Sequence, residues 1–180
     1  GDTVNAYELS ASKFFQEGIE ECADAIALEV GVPYEGNTEG AGADHVSTCG
    51  GGSPNAPDTA HVFTLNKPSI VTITVEAEDW DPIVYLRNDC DSVGSEIDCA
   101  DDPETINALL DPGTYYVIVD AWGQGEGDYI ITWEIEDPVC LPGERACVGN
   151  LAAICADDGS GYEPLGQCEG ICNEDTGTCD

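Results

Sequence analysis

The chain has 180 residues, of which 37 are Asp or Glu and four are Lys or Arg (Lys13, Lys67, Arg87 and Arg145), leaving a formal net charge of −33. Nucleic-acid phosphates and anionic membrane faces are bound through Lys and Arg, so both are excluded as partners. Self-repulsion on this scale calls for saline surroundings or bound divalent cations, and calcium, which prefers oxygen ligands, is the natural cation.

Residues 1–21 contain no Pro and carry Val4, Tyr7, Leu9, Phe14, Phe15 and Ile19. That is a high apolar content for a solvated tail. "VNAYELSA" can pair as a strand, whereas Phe15, Ile19, Cys22, Ala23 and Ile26 fit helical spacing. The segment is read as an arm, with Val4, Tyr7, Leu9, Phe14 and Phe15 as its assembly residues. It either folds back or adds to the sheet edge of a neighbouring copy.

From Cys22 to Asp137, short apolar runs alternate with Gly, Pro and Asp clusters, which predicts an all-β chain. Strands are expected at 25–32, 60–65, 69–76, 82–87, 105–110, 114–120 and 128–136. In the first, Ile26, Leu28, Val30 and Val32 share one face; in the third, Val71, Ile73 and Val75 oppose Ile70, Thr72 and Thr74. "DPGT" (111–114) predicts a tight connection. Seven or eight strands without a convincing helix predict two packed antiparallel sheets.

Gly123, Gly125 and Gly127 follow an apolar run and could suggest a phosphate cradle. Such a cradle opens a helix, because the free N–H groups of the helix start hold the phosphate. Here "DYIITWEI" follows, with Tyr129, Ile131, Trp133 and Ile135 in period-two alternation. The glycines are therefore read as a hairpin bend between strands.

The segments "CADAIALEVGVPYEGNTEGAGADHVSTCGG", "HVFTLNKPSIVTITVEAEDWDPIVYLRNDC", "IDCADD" and "LLDPGTYYVIVDAWGQGEGDYIITWEI" resemble, in order and spacing, the bacterial pre-peptidase C-terminal domain, in versions found in secreted proteins of myxobacteria and their relatives. The resemblance covers 22 to about 136. It implies a jelly-roll-like β-sandwich and a non-catalytic appendage of secreted enzymes or surface proteins, some of which bind calcium or polymers such as collagen. The organisation expected is an arm (1–21), a sandwich (22–137) and a disulfide module (138–180). The last is similar to small cysteine-rich modules of the same kinds of secreted proteins.

Ten cysteines (Cys22, Cys49, Cys90, Cys99, Cys140, Cys147, Cys155, Cys168, Cys172, Cys179) accompany only two histidines and no methionine. A disulfide framework in an oxidising compartment follows, in a secreted chain whose initiator and signal peptide have been cleaved. No apolar run approaches the ~20 residues that cross a bilayer. The expected pairs are Cys22 with Cys49 and Cys90 with Cys99. The last six close among themselves, in a pattern left open by the sequence.

No catalytic residue is expected, since neither His45, read as solvated, nor His61, read as packing or capping, has a nucleophile elbow beside it. The metal candidates are Asp79 and Asp81 in "EDWDP" and Asp101 and Asp102 in "IDCADDPE", with Asp98 nearby. These are short carboxylates in loops that flank strands, suited to calcium. Trp80 and Trp122 are the loop aromatics, a thin platform for a substrate. The leading functional expectation is a secreted, non-enzymatic structural or interaction protein, the repeating subunit of an extracellular filament joined head to tail through its arm. The alternative is a calcium-dependent targeting or adhesion module released from a larger secreted enzyme and bound to an extracellular polymer.

Overall fold

The computed structural model describes residues 22–49 and 55–180. Val4, Tyr7, Leu9, Phe14 and Phe15, the residues expected to serve assembly, lie outside them. Among the described residues, nine strands build the larger part: β1 (Ile26–Ala27), β2 (Tyr34–Asn37), β3 (Thr59–Leu65), β4 (Ser69–Glu76), β5 (Pro82–Arg87), β6 (Glu96–Ala100), β7 (Thr105–Leu110), β8 (Gly113–Ala121) and β9 (Asp128–Glu136). They form a five-stranded sheet in the order β1-β3-β8-β5-β6 and a four-stranded sheet in the order β2-β9-β4-β7. Every pair is antiparallel except β1 with β3. This is an all-β sandwich, as the alternating pattern requires.

Alternation decides which side chains face inward. Val71, Ile73 and Val75 of β4 are fully buried and meet Val117 and Val119 of β8 and Val84 and Leu86 of β5 in one apolar core. Phe63 sits at its centre, 4.5 Å from the Trp133 ring centroid and 5.6 Å from that of Tyr115. Each such side chain contributes about 1.5–3 kcal/mol by leaving water.

The run expected as one strand over 25–32 is divided. Only Ile26 and Ala27 pair, with His61 and Val62, after which Gly31 adopts φ +69° and the chain turns. Val30 and Val32 are left exposed. The turn carries the chain from one sheet to the other, where β2 pairs with β9. Strand β6 lies in a segment read only as a disulfide loop. The Gly123–Gly127 bend likewise joins β8 of one sheet to β9 of the other, so it is a crossover and not a hairpin. Hydropathy alternation has period two on either side of such a crossover, so it does not register the change of sheet.

At Gly36 the backbone approaches the Tyr129 ring so closely that a Cβ would lie 2.2 Å from Cζ. That ring is fixed, because its hydroxyl bonds Thr59 Oγ1 at 2.9 Å and His61 Nε2 at 3.1 Å. Gly36→Ala is expected to destabilise by about 1–3 kcal/mol. The denaturation midpoint reads this, and an unchanged midpoint contradicts the packing.

The outer face of the five-stranded sheet is also covered. Ala60, Ile83, Tyr85 and Ile118 form a second buried cluster with Cys90, closed over by Cys22, Ala25 and Cys49. All six residues of β5 are consequently buried. Here the pairing departs from expectation: Cys22 bonds Cys90 and Cys49 bonds Cys99. The segments that carry Cys22 and Cys49 lie across the sheet, and spatial neighbours there are distant in sequence.

The remaining strands, β10 (Arg145–Val148), β11 (Leu151–Cys155), β12 (Tyr162–Gln167), β13 (Cys172–Asn173) and β14 (Thr178–Cys179), make a three-stranded sheet and a small hairpin. The buried apolar cluster here consists of Ala152, Cys168 and Cys172, with Cys147 against it. So small a core needs staples. They are Cys140–Cys155, Cys147–Cys172 and Cys168–Cys179.

Candidate cation-binding end

Two loops at one end of the sandwich bring the acidic candidates together. The β4–β5 connection carries Asp81, whose carbonyl accepts from Trp122 N at 2.8 Å. The β6–β7 connection carries Asp101 and Glu104; Pro103 O accepts from Thr105 N at 2.7 Å and Glu104 O from Val75 N at 3.0 Å. Backbone bonds therefore hold both loops against the sheets.

One carboxylate oxygen each from Asp81, Asp101 and Glu104 lies within 4.8 Å of the others. Oxygens bound to one calcium ion are at most about 5 Å apart, so the three can share it, with water completing six to eight ligands. Asp81 is exposed and the other two are half-buried. Burial, then the charges of Asp81 and Asp102, push the Asp101 carboxyl above its usual range. A divalent cation would remove that repulsion. Of the four expected ligands, the cluster contains Asp81 and Asp101 but neither Asp79 nor Asp102. Glu104 went unrecognised in the sequence, although "DDPE" places it three residues after Asp101.

The same end opens into a groove of about 1220 Å³, and Asp79, Asp81 and Glu104 line it. Tyr34, Trp80 and Tyr129 are its aromatics, and every other ionisable side chain along it is a carboxylate. Trp80 is held in place: its indole N–H donates to Asp128 O at 3.0 Å, and Gly125 and Gly127 make room for its ring. Trp122 is exposed.

The histidines are both buried. His61 packs in the sandwich, its ring 5.1 Å from that of Tyr34, and desolvation lowers its pKa from 6.5 to about 4. His45 was expected in solvent, from its Gly/Ala-rich surroundings, but it is buried because its loop lies across the five-stranded sheet. Its Nδ1 is 2.6 Å from Asp58 Oδ1, while Asp58 Oδ2 accepts from the Asp44 and His45 amides at 2.9 Å. Nε2 faces the sulfurs of Cys22 and Cys90. A His–Asp pair is thus present, but the groups before it are a disulfide.

Asp120 is buried close by, and its Oδ2 makes no hydrogen bond of normal geometry. Burial raises its pKa to about 6, against the lowering effect of the Ala121 amide. A carboxyl that is raised on folding favours the folded state in acid. Its contribution is present below about 3.8 and lost as pH rises to about 6. His61 has the opposite sign, since stability from a neutral buried imidazole is lost as pH falls from 6.5 through about 4. Asp120→Asn is therefore expected to raise stability at pH 7 relative to wild type and to steepen the loss between pH 6 and 4, as read by denaturant titrations across that range. A destabilised variant at pH 7 would contradict the assignment.

No protein-family model matches the chain, and no curated protein matches it. Among solved structures, the pre-peptidase C-terminal domain of a collagenase from Bacillus anthracis is similar at 19% identity and a TM-score of 0.45, over 64% of this chain and 96% of that one. It represents the family that residues 22 to about 136 resemble in sequence. PliG, a periplasmic inhibitor of g-type lysozyme, is similar in its Aeromonas hydrophila form (6% identity, TM-score 0.43, 62% of this chain and 96% of that one). The Salmonella Typhimurium form is similar at 14% identity and a TM-score of 0.38, over 62% of this chain and 98% of that one. The sandwich assignment rests on the strand order and register of this chain and not on those likenesses.

Proposed function

We propose that this chain is a non-catalytic interaction module of an oxidising compartment outside the cytoplasm, whose acidic end binds calcium and presents the adjoining groove to an extracellular partner. The observation that carries the reading is the convergence of Asp81, Asp101 and Glu104 from two separate loops at the mouth of a groove that contains Trp80. Calcium there would join the two loops and set the groove wall. Five disulfides support the oxidising setting. Among the described residues no helix is long and apolar enough to cross a membrane. Titration calorimetry with calcium tests the reading: one site per chain is expected, and Asp101→Asn should weaken it at least tenfold. No saturable heat, or equal affinity in the variant, rejects it.

The finer form of the proposal makes the chain a filament subunit, with residues 1–21 docked on the next copy. It rests on the apolar residues of that arm and on the covalent tie at Cys22, which fixes the place where the arm joins the sandwich. A head-to-tail contact that does not close would extend indefinitely. Electron microscopy of the full chain and of a variant lacking residues 1–21, both in calcium-containing saline, decides it. Fibres from the full chain alone support the arm's role; fibres from both, or from neither, reject it.

A further inference from the structure

At the loop that carries His45, three side chains of metal-ligating type come together: Cys22, His45 and Cys90. His45 Nδ1 lies 2.6 Å from Asp58 Oδ1, and on the other side of the ring Nε2 faces Cys22 Sγ at 3.4 Å and Cys90 Sγ at 3.6 Å. Asp58 is fully buried and pinned by two backbone amides, so the imidazole orientation is built into the fold.

We propose that Cys22, Cys90 and His45 form a redox-gated site for a thiophilic divalent cation of the zinc class, closed as a disulfide when oxidised and metal-binding when the pair is reduced. In a tetrahedral site with Zn–S of about 2.3 Å and Zn–N of about 2.0–2.1 Å, sulfur and nitrogen ligands lie about 3.5 Å apart. His45 Nε2 already stands at that separation from both sulfurs. Only the sulfurs have to part. The bond from Asp58 to Nδ1 supplies the carboxylate–histidine support that orients a metal-bound imidazole and raises its basicity. Access is present as well: a recess of about 430 Å³, lined by Cys22, His45, Arg87 and Asp91, reaches the site and leaves room for water or a carboxylate as fourth ligand. Two thiolates and an imidazole select zinc over calcium, so this site and the carboxylate cluster would take different ions.

The chemistry balances with a dithiol reductant. A reductant thiolate attacks Cys22 Sγ, which lines the recess, and expels the Cys90 thiolate. The second reductant thiol then releases Cys22, and the reductant leaves as its own disulfide after giving two electrons and two protons. Metal binding displaces those two protons to solvent. The tie between Cys22 and the sheet would then survive reduction, carried by the metal.

Graded reduction of the full chain with a dithiol, followed by isotope-coded alkylation, shows which pair opens. After anaerobic removal of reductant, cobalt(II) serves as the probe. The expected result is that one cobalt binds per chain once Cys22–Cys90 has opened, with a thiolate-to-metal charge-transfer band and tetrahedral visible bands that zinc abolishes. Zinc should also protect Cys22 and Cys90 from alkylation. His45→Gln and Asp58→Asn are each expected to weaken cobalt binding at least tenfold, and the oxidised His45→Gln protein, its disulfides intact, serves as the folding control. A Cys22→Ser/Cys90→Ser double variant, reduced in parallel, should lack the band. The proposal is overturned if no cobalt binds once Cys22–Cys90 is open, if the double variant binds cobalt as the wild type does, or if His45→Gln binds it unchanged.

Discussion

Replacing Cys49 and Cys99 together by alanine should lower stability by about 4 kcal/mol, because their bond spans 50 residues and the chain-entropy cost it removes from the unfolded state is large. For a chain of this size that corresponds to a fall in Tm of roughly 8–16 °C. Pairing of Cys90 with Cys99 would have closed a far shorter loop and given a smaller effect. The single variant Cys49→Ala separates the two pairings further. Alkylation should label Cys99 in that variant; label on Cys22 would instead restore the pairing expected from sequence proximity and overturn the connectivity. The bond also matters for the outer face of the sheet. It holds the loop over Tyr85 and Arg87, whose guanidinium donates to Val46 O and Cys90 O. Loss of the tie should therefore expose that second cluster before the main core opens.

Calcium should raise the melting temperature of the whole chain at constant ionic strength. A ligand that binds only the folded state at a hundred times its Kd adds about 2.7 kcal/mol, or roughly 5–11 °C here. The increment has a predictable pH dependence. Without metal the raised Asp101 carboxyl favours the folded state in acid, and that contribution is lost as pH rises through its folded pKa. Calcium binds the charged form, so its effect should be larger at pH 7 than at pH 4. Asp101→Asn should be at least as stable as wild type in chelator yet gain little from calcium. Equal midpoints with calcium and with chelator at pH 7, in the unmodified chain, would remove the basis for a cation at this end.

Much of the sandwich follows from residues taken one strand at a time. Ser69–Glu76, Pro82–Arg87 and Asp128–Glu136 fall where the alternation of Val, Ile, Thr and Trp places them. A pleated strand with period-two hydropathy has one face to bury, and local sequence states which face that is. The ten cysteines and the charge of −33 likewise define an oxidised, acidic chain without reference to any fold. Asp81 and Asp101 were legible as candidate ligands because short acids in loops beside strands offer oxygens that a hard cation can take.

Tertiary structure decided what lies next to what. Glu104 joins Asp81 and Asp101 because β7 begins beside the β4–β5 loop, a relation between strands that no spacing encodes. Gly31 and the Gly123–Gly127 bend move the chain between sheets, and that choice depends on which edge is free to pair. The Gly/Ala-rich loop around His45 reads as solvated, yet it covers a second apolar face that exists only once β3, β8 and β5 are side by side. Cys22 meets Cys90, and Cys49 meets Cys99, across that same face. Local alternation fixes the inside and outside of each strand, whereas pairing between distant segments is settled only when the sheets assemble and bury those faces together.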